Sequence, residues 1–296
     1  MNAPATFAPL PTDGHRKSPT PDDLELNIRD RRFSRKGETG RWWLNGDPVA
    51  TAWFNALSAT FPRGEAFFIE SVKANRDGAP PRLAAEIRAF VKQEINHTRE
   101  HIVFNKQAER SGYDIAFIDR RVEEMLALTK GRPAYVNLAA TMALEHFTAM
   151  LGHELLADPV HLQGAEGELG DLWRWHSAEE VEHKGVAYDT WLHATRDWSR
   201  FRRWRVKSLL MLIVTQRFVI HRIQDMIRLL EQDGLTGWKW KAKIIAYLFW
   251  KPGFMRRIVP QWCAYFMPRF HPWNHDDRAL IKQYEGEFQD ALLPAE

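Results

Sequence analysis

One cysteine, Cys263, stands in a chain of 296 residues. An intrachain disulfide is therefore excluded, which fits a reducing compartment such as the cytoplasm. Long hydrophobic runs are also missing. The longest strongly apolar stretch, "LLMLIV" at 209–214, is far short of the ~20 residues a spanning helix needs. No basic start followed by an apolar run marks a secretory leader. Strand-like alternation and short-period repeats are absent, so the expectation is an all-α chain. Acidic residues are scarce in one region: Arg200 to Phe270 holds 15 Lys/Arg against three Asp/Glu, a net of +12. The whole chain carries +3, so the remainder carries −9, and the two regions differ physically.

What is present is organised by helical periodicity and by turn residues. Residues 1–25, rich in Pro, Thr and Asp, read as a disordered tail. Residues 26–46 read as an extended arm with turns. Asp47 followed by Pro48 predicts a helix start. "PRGEAFFIESVKAN" either continues that helix or restarts it at Pro62 and Gly64. Further helices are predicted over about Pro81 to Arg110, within 112–131, from Pro133 to about Ala157, and from about Glu168 to Thr195. Residues 26–198 form the expected bundle with its arm. Residues 199–296 form a basic, Trp-rich helical extension packed on it.

Two helices carry Glu-x-x-His: Glu94 with His97, and Glu180 with His183. Each pair projects from one helix face. Ile87, Phe90, Glu94, His97, His101 and Phe104 step by three and four, as do Trp173, His176, Glu180, His183 and Ala187. The polar pairs thus occupy core positions. A buried carboxylate without a partner is costly, and a metal supplies the missing charge. Two such helices plus one Glu on each of two others is the dinuclear bundle pattern. Glu145 shares an inward stripe with Leu138, Met142 and Ala149, at a height matching Glu180. Glu65 lies about 11 residues from the turn at 76–80 and matches Glu94 in height, whereas Glu70 would miss by roughly 10 Å. The expected ligands are Glu65, Glu94, His97, Glu145, Glu180 and His183, holding two metal ions, iron first and manganese as the alternative.

The stretches "FPRGEAFF", "QEINHTREHIVFN", "ALEHFTA", "HSAEEVEHKGVAYD" and "RFHPW" resemble the bacterial family of predicted metal-dependent hydrolases, from about Leu26 to the C-terminus. The four ligand-bearing helices also resemble ferritin-like di-iron carboxylate proteins, whose ligands map onto the same six residues. The resemblance implies a ferritin-like four-helix bundle with a C-terminal helical extension.

His101 and His176 lie one turn beyond the two pairs. If 112–131 is a crossover, their helices run antiparallel and both histidines flank one end of the site, as extra ligands or proton-transfer groups. Glu179 and Asp189 are candidate acceptors for ligand histidines. The leading functional expectation is oxidation of an apolar or amphipathic small molecule with dioxygen at a di-iron centre. The alternatives are a metal-dependent hydrolase using activated water, and non-enzymatic metal or oxygen sensing or storage. The basic region 200–270 suits peripheral contact with an anionic membrane, packing against the acidic bundle, or a homodimer. No recognised nucleic-acid-binding module appears, so no nucleic-acid partner is expected. A cytoplasmic location, peripheral to the inner membrane face if that contact forms, follows.

Overall fold

The structure is a computed structural model that describes residues 19–33 and 39–292. Among these residues it is all-helical, with no strand and one isolated bridge between Leu44 and Ala165. Helix α1 spans Pro48–Ser58. Its N-cap Asp47 accepts from the Val49 and Ala50 backbone N–H groups, and Pro48 takes the position where a missing N–H costs nothing. Helix α2, Phe61–Lys73, is a restart and not a continuation, with Pro62 in its first turn. Helix α3 runs Pro81–Arg110, α4 Ala116–Ala127 and α5 Ala134–Ala157.

The helix expected over 168–195 is two: α6, Leu169–His183, and α7, Val186–Ala194. The interruption falls at Gly185, where a Cβ would come within 3.0 Å of Thr20 Oγ1 and of the Trp273 ring. Close approach of two distant segments needs a residue without a side chain there.

Four helices close a ring: α2 packs on α3 and α5, and α6 packs on α3 and α5. The outer layer is α8 (Arg200–Gln232), α9 (Trp238–Phe249), α10 (Phe254–Arg257), α11 (Val259–Tyr265) and α12 (Arg278–Leu292). Helix α8 lies against α1, α5 and α9, and α12 against α5 and α6. One face of α8 stays outside, exposing Leu209, Leu212, Ile213 and Ile220 beside its arginines. No described helix is long and apolar enough to cross a membrane.

The arm places its backbone against the ring. The Asn27 N–H donates to Glu182 at 2.8 Å, the Arg29 N–H to Glu179 at 2.9 Å and the Phe33 N–H to Glu100 at 3.2 Å. Of the expected tail, residues 1–18 lie outside the described residues. Thr20 is buried, and its hydroxyl donates to Asp189 at 2.9 Å.

Candidate metal centre

The ring brings Glu65 from α2, Glu94 and His97 from α3, Glu145 from α5, and Glu180 and His183 from α6 to one buried place, each at most 3% exposed. Amphipathic periodicity explains the placement: each of these residues occupies a position on the stripe that faces the ring interior. Glu70 is exposed on the other side of α2.

His183 Nε2 lies 3.3 Å from Glu94, 3.4 Å from Glu145 and 3.5 Å from Glu180. His97 Nδ1 lies 3.8 Å from Glu94 and 3.6 Å from Glu180. Glu94 and Glu180 thus stand between the two histidines. Glu94 belongs both to a cluster with Glu65 and His97 and to one with Glu145 and His183, each able to hold an ion.

Eight donor atoms in this set lack a hydrogen-bond partner: Glu65 Oε1, both oxygens of Glu94 and of Glu145, Glu180 Oε2, His97 Nδ1 and His183 Nε2. Buried polar atoms in native proteins are paired with few exceptions, so eight orphans around one point need a common partner. Their chemistry, carboxylate oxygen and imidazole nitrogen, fits a metal ion.

The opposite ring nitrogens are tied down. His97 Nε2 is 2.9 Å from Glu179 Oε2, and His183 Nδ1 is 3.0 Å from Gln93 Oε1. Hydrogen bonds of this kind fix which nitrogen faces a metal. Gln93 in turn donates to Glu182 at 2.7 Å and to the Asn27 carbonyl at 3.0 Å, while Arg29 pairs with Glu182 at 3.0 Å. Asp189 does not join this set: it accepts from Thr20 at 2.9 Å and stands 3.1 Å from His271 Nε2. Asp189 lies on α7, beyond the break at Gly185, and its hydrogen bonds go to Thr20 and His271 instead of a ligand histidine.

Electrostatics follow from the crowding. Burial pushes the Glu94 and Glu65 carboxyls well above the usual range, and neighbouring carboxylates add to it. Burial, then the Glu180 charge, pushes Glu145 up to about 7. Burial alone would depress His183, but Glu180 and Glu145 outweigh it and raise the ring to about 10. Burial, and secondarily the charge of His176, drive His97 well below its ordinary value.

His101 and His176 come together at one end. His101 Nε2 lies 2.5 Å from His176 Nδ1, and His176 Nε2 lies 2.8 Å from Glu180 Oε1. His97 sits beside Glu179 and His101 beside His176, so α3 and α6 run antiparallel. The row continues from His101 Nδ1 to Ser58 Oγ at 2.8 Å and on to Asn105 Oδ1 at 2.7 Å. Gln93, Ser58 and Asn105 escaped sequence reading. Gln93 stands next to Glu94 in "QEINH", but polar residues beside a motif are common, and only packing reveals its direction. A separate group, His153, His275 and Asp277, lies nearer the surface, where the buried Lys184 ammonium already pairs with Asp277.

A family model described as predicted metal-dependent hydrolase matches residues 27–276. That description favours the hydrolytic alternative over the oxidative reading. Neither a curated protein nor a solved structure matches.

Proposed function

The chain belongs to the predicted metal-dependent hydrolase family, and on that premise we propose a dinuclear enzyme that hydrolyses a small molecule with metal-activated water. The convergence of eight unpartnered buried donor atoms carries this reading. The ring is read as a ferritin-like four-helix bundle. Glu65, Glu94, His97, Glu145, Glu180 and His183 would hold the ions. Iron suits this donor set, with manganese as the alternative. Bound there, the ions would polarise a scissile group and lower the pKa of a water.

The chain's own residues supply orientation and proton movement. Glu179 and Gln93 hold the ligand histidines so that Nδ1 of His97 and Nε2 of His183 face inward. His176 at Glu180 is placed to take a proton from the reacting face, and His101, Ser58 and Asn105 continue the path. Trp173 Nε1, buried and without a partner, is a further donor beside His176.

The second reading is oxidation with dioxygen. What favours it is a donor set of four carboxylates and two imidazoles beside an apolar cavity. One experiment separates the two: reconstitute with redox-inert zinc or with manganese and screen ester and phosphoester turnover, then load ferrous iron anaerobically and follow oxygen uptake. Hydrolysis with an inert metal supports the first reading. Rapid oxygen uptake with no hydrolysis under any metal reverses the ranking.

A further inference from the structure

A cavity of about 410 Å³ opens beside the metal centre. His176 and Glu180, both buried, line its inner end, and Ile213, Arg217 and Arg132, all exposed, line its outer end. Between them the wall is apolar, with Leu57, Phe67, Met125, Leu144, Phe147 and Phe218 contributed by α1, α2, α4, α5 and α8. Among the described residues Glu180 is the sole carboxylate in the lining, whereas three arginines line it.

Arg222 pairs with Asp225 at 2.6 Å, but that anion is shared with a second arginine, Arg121. The Nε of Arg222 is buried and lacks a hydrogen-bond partner. Arg217 has no ion-pair partner among the described residues. A largely apolar space with the unpaired Arg217 at its exposed side fits one kind of molecule.

We propose that this cavity binds a single-chain amphiphile with an anionic headgroup, the head at Arg217 and Arg222 and the chain running inward to His176 and Glu180. A cavity of about 410 Å³ lies in the size range of small-molecule sites. The proposal rests on the metal-centre reading for one point only, that the buried end of the chain is the part that reacts.

The test is calorimetric binding of dodecanoate, dodecanol and dodecyltrimethylammonium to the full chain, with metal content measured on the same samples. Dodecanoate should bind at one per chain and more tightly than the other two. Arg217→Glu should weaken dodecanoate about tenfold or more and leave dodecanol unchanged. Gly64→Phe should weaken dodecanoate and dodecanol alike, because Gly64 lines the cavity and a Cβ there meets nothing within 4 Å. Wild-type protein that ignores dodecanoate, or takes the cationic amphiphile as tightly, overturns the proposal. Equal dodecanoate affinity in Arg217→Glu does the same for the headgroup assignment. Amphiphile binding by a chain that takes up no metal would sustain this proposal while ending the metal-centre reading.

Discussion

Replacing Glu94 by Met should make the metal-free protein more stable while removing its ability to be stabilised by metal. Glu94 is fully buried and neither of its oxygens has a hydrogen-bond partner. Burial first, then the charges of Glu145, Glu180 and Glu65, make ionising it unfavourable. An unsatisfied buried polar group costs about 1–3 kcal/mol, more if charged, and exchange of buried ionic groups for apolar ones of similar size is often neutral or stabilising. Met matches the reach of Glu and adapts to irregular space. The metal-free variant should gain about 1–3 kcal/mol, or roughly 2–12 °C at the 2–4 °C per kcal/mol seen for domains of 150–250 residues. With metal at about 100 times its dissociation constant, the wild type should gain about 2.7 kcal/mol for each ion bound, a gain that the variant lacks. Thermal melts of chelator-treated protein, with and without added metal, read both effects. A metal-free variant that melts well below the metal-free wild type would refute the reasoning, because it would show Glu94 holding the fold through protein partners alone.

Other perturbations probe neighbouring links. Gln93→Leu removes the acceptor of His183 Nδ1 and should weaken metal binding about 10–100-fold, read by chelator competition; unchanged affinity would mean that the ring needs no such orientation. The Glu145 carboxyl, raised to about 7 in the folded chain chiefly by burial, contributes stability that is full below its ordinary value near 4.5 and lost as pH rises through about 7. The melting temperature of metal-free protein should therefore fall more steeply across that window in the wild type than in Glu145→Gln, which keeps the raised Glu94 and Glu65 carboxyls. If the exposed apolar face of α8 and its arginines meet an anionic membrane, binding to anionic vesicles should exceed binding to neutral ones and decline with salt. Equal, negligible binding to both would leave that face without a membrane role.

Local chemistry made much of the fold readable. Asp47 and Pro48 announce α1, and a Glu or His repeating every three to four residues on an apolar stripe points inward whatever the final packing. Heights counted from a turn separate Glu65 from Glu70, and the structure places the first among the other carboxylates and the second in solvent. What stayed hidden depends on distant segments. At the break between α6 and α7, Trp273 and Thr20 come so close to Gly185 that a Cβ there would meet them within 3.0 Å, a contact between distant segments. The roles of Gln93, Asn27 and Arg29 exist because the arm lies over α3 and α6, which no periodicity encodes. The cavity draws on seven helices, and its shape is a property of their packing alone.

The most direct test of the central claim is metal analysis of protein reconstituted anaerobically with ferrous iron, followed by Mössbauer spectroscopy. The account predicts about two irons per chain in a coupled site, with Glu94→Ala and Glu180→Ala each lowering the count. Full metal content in the Glu94→Ala, Glu180→Ala double variant, or a wild-type chain that binds none, would contradict it.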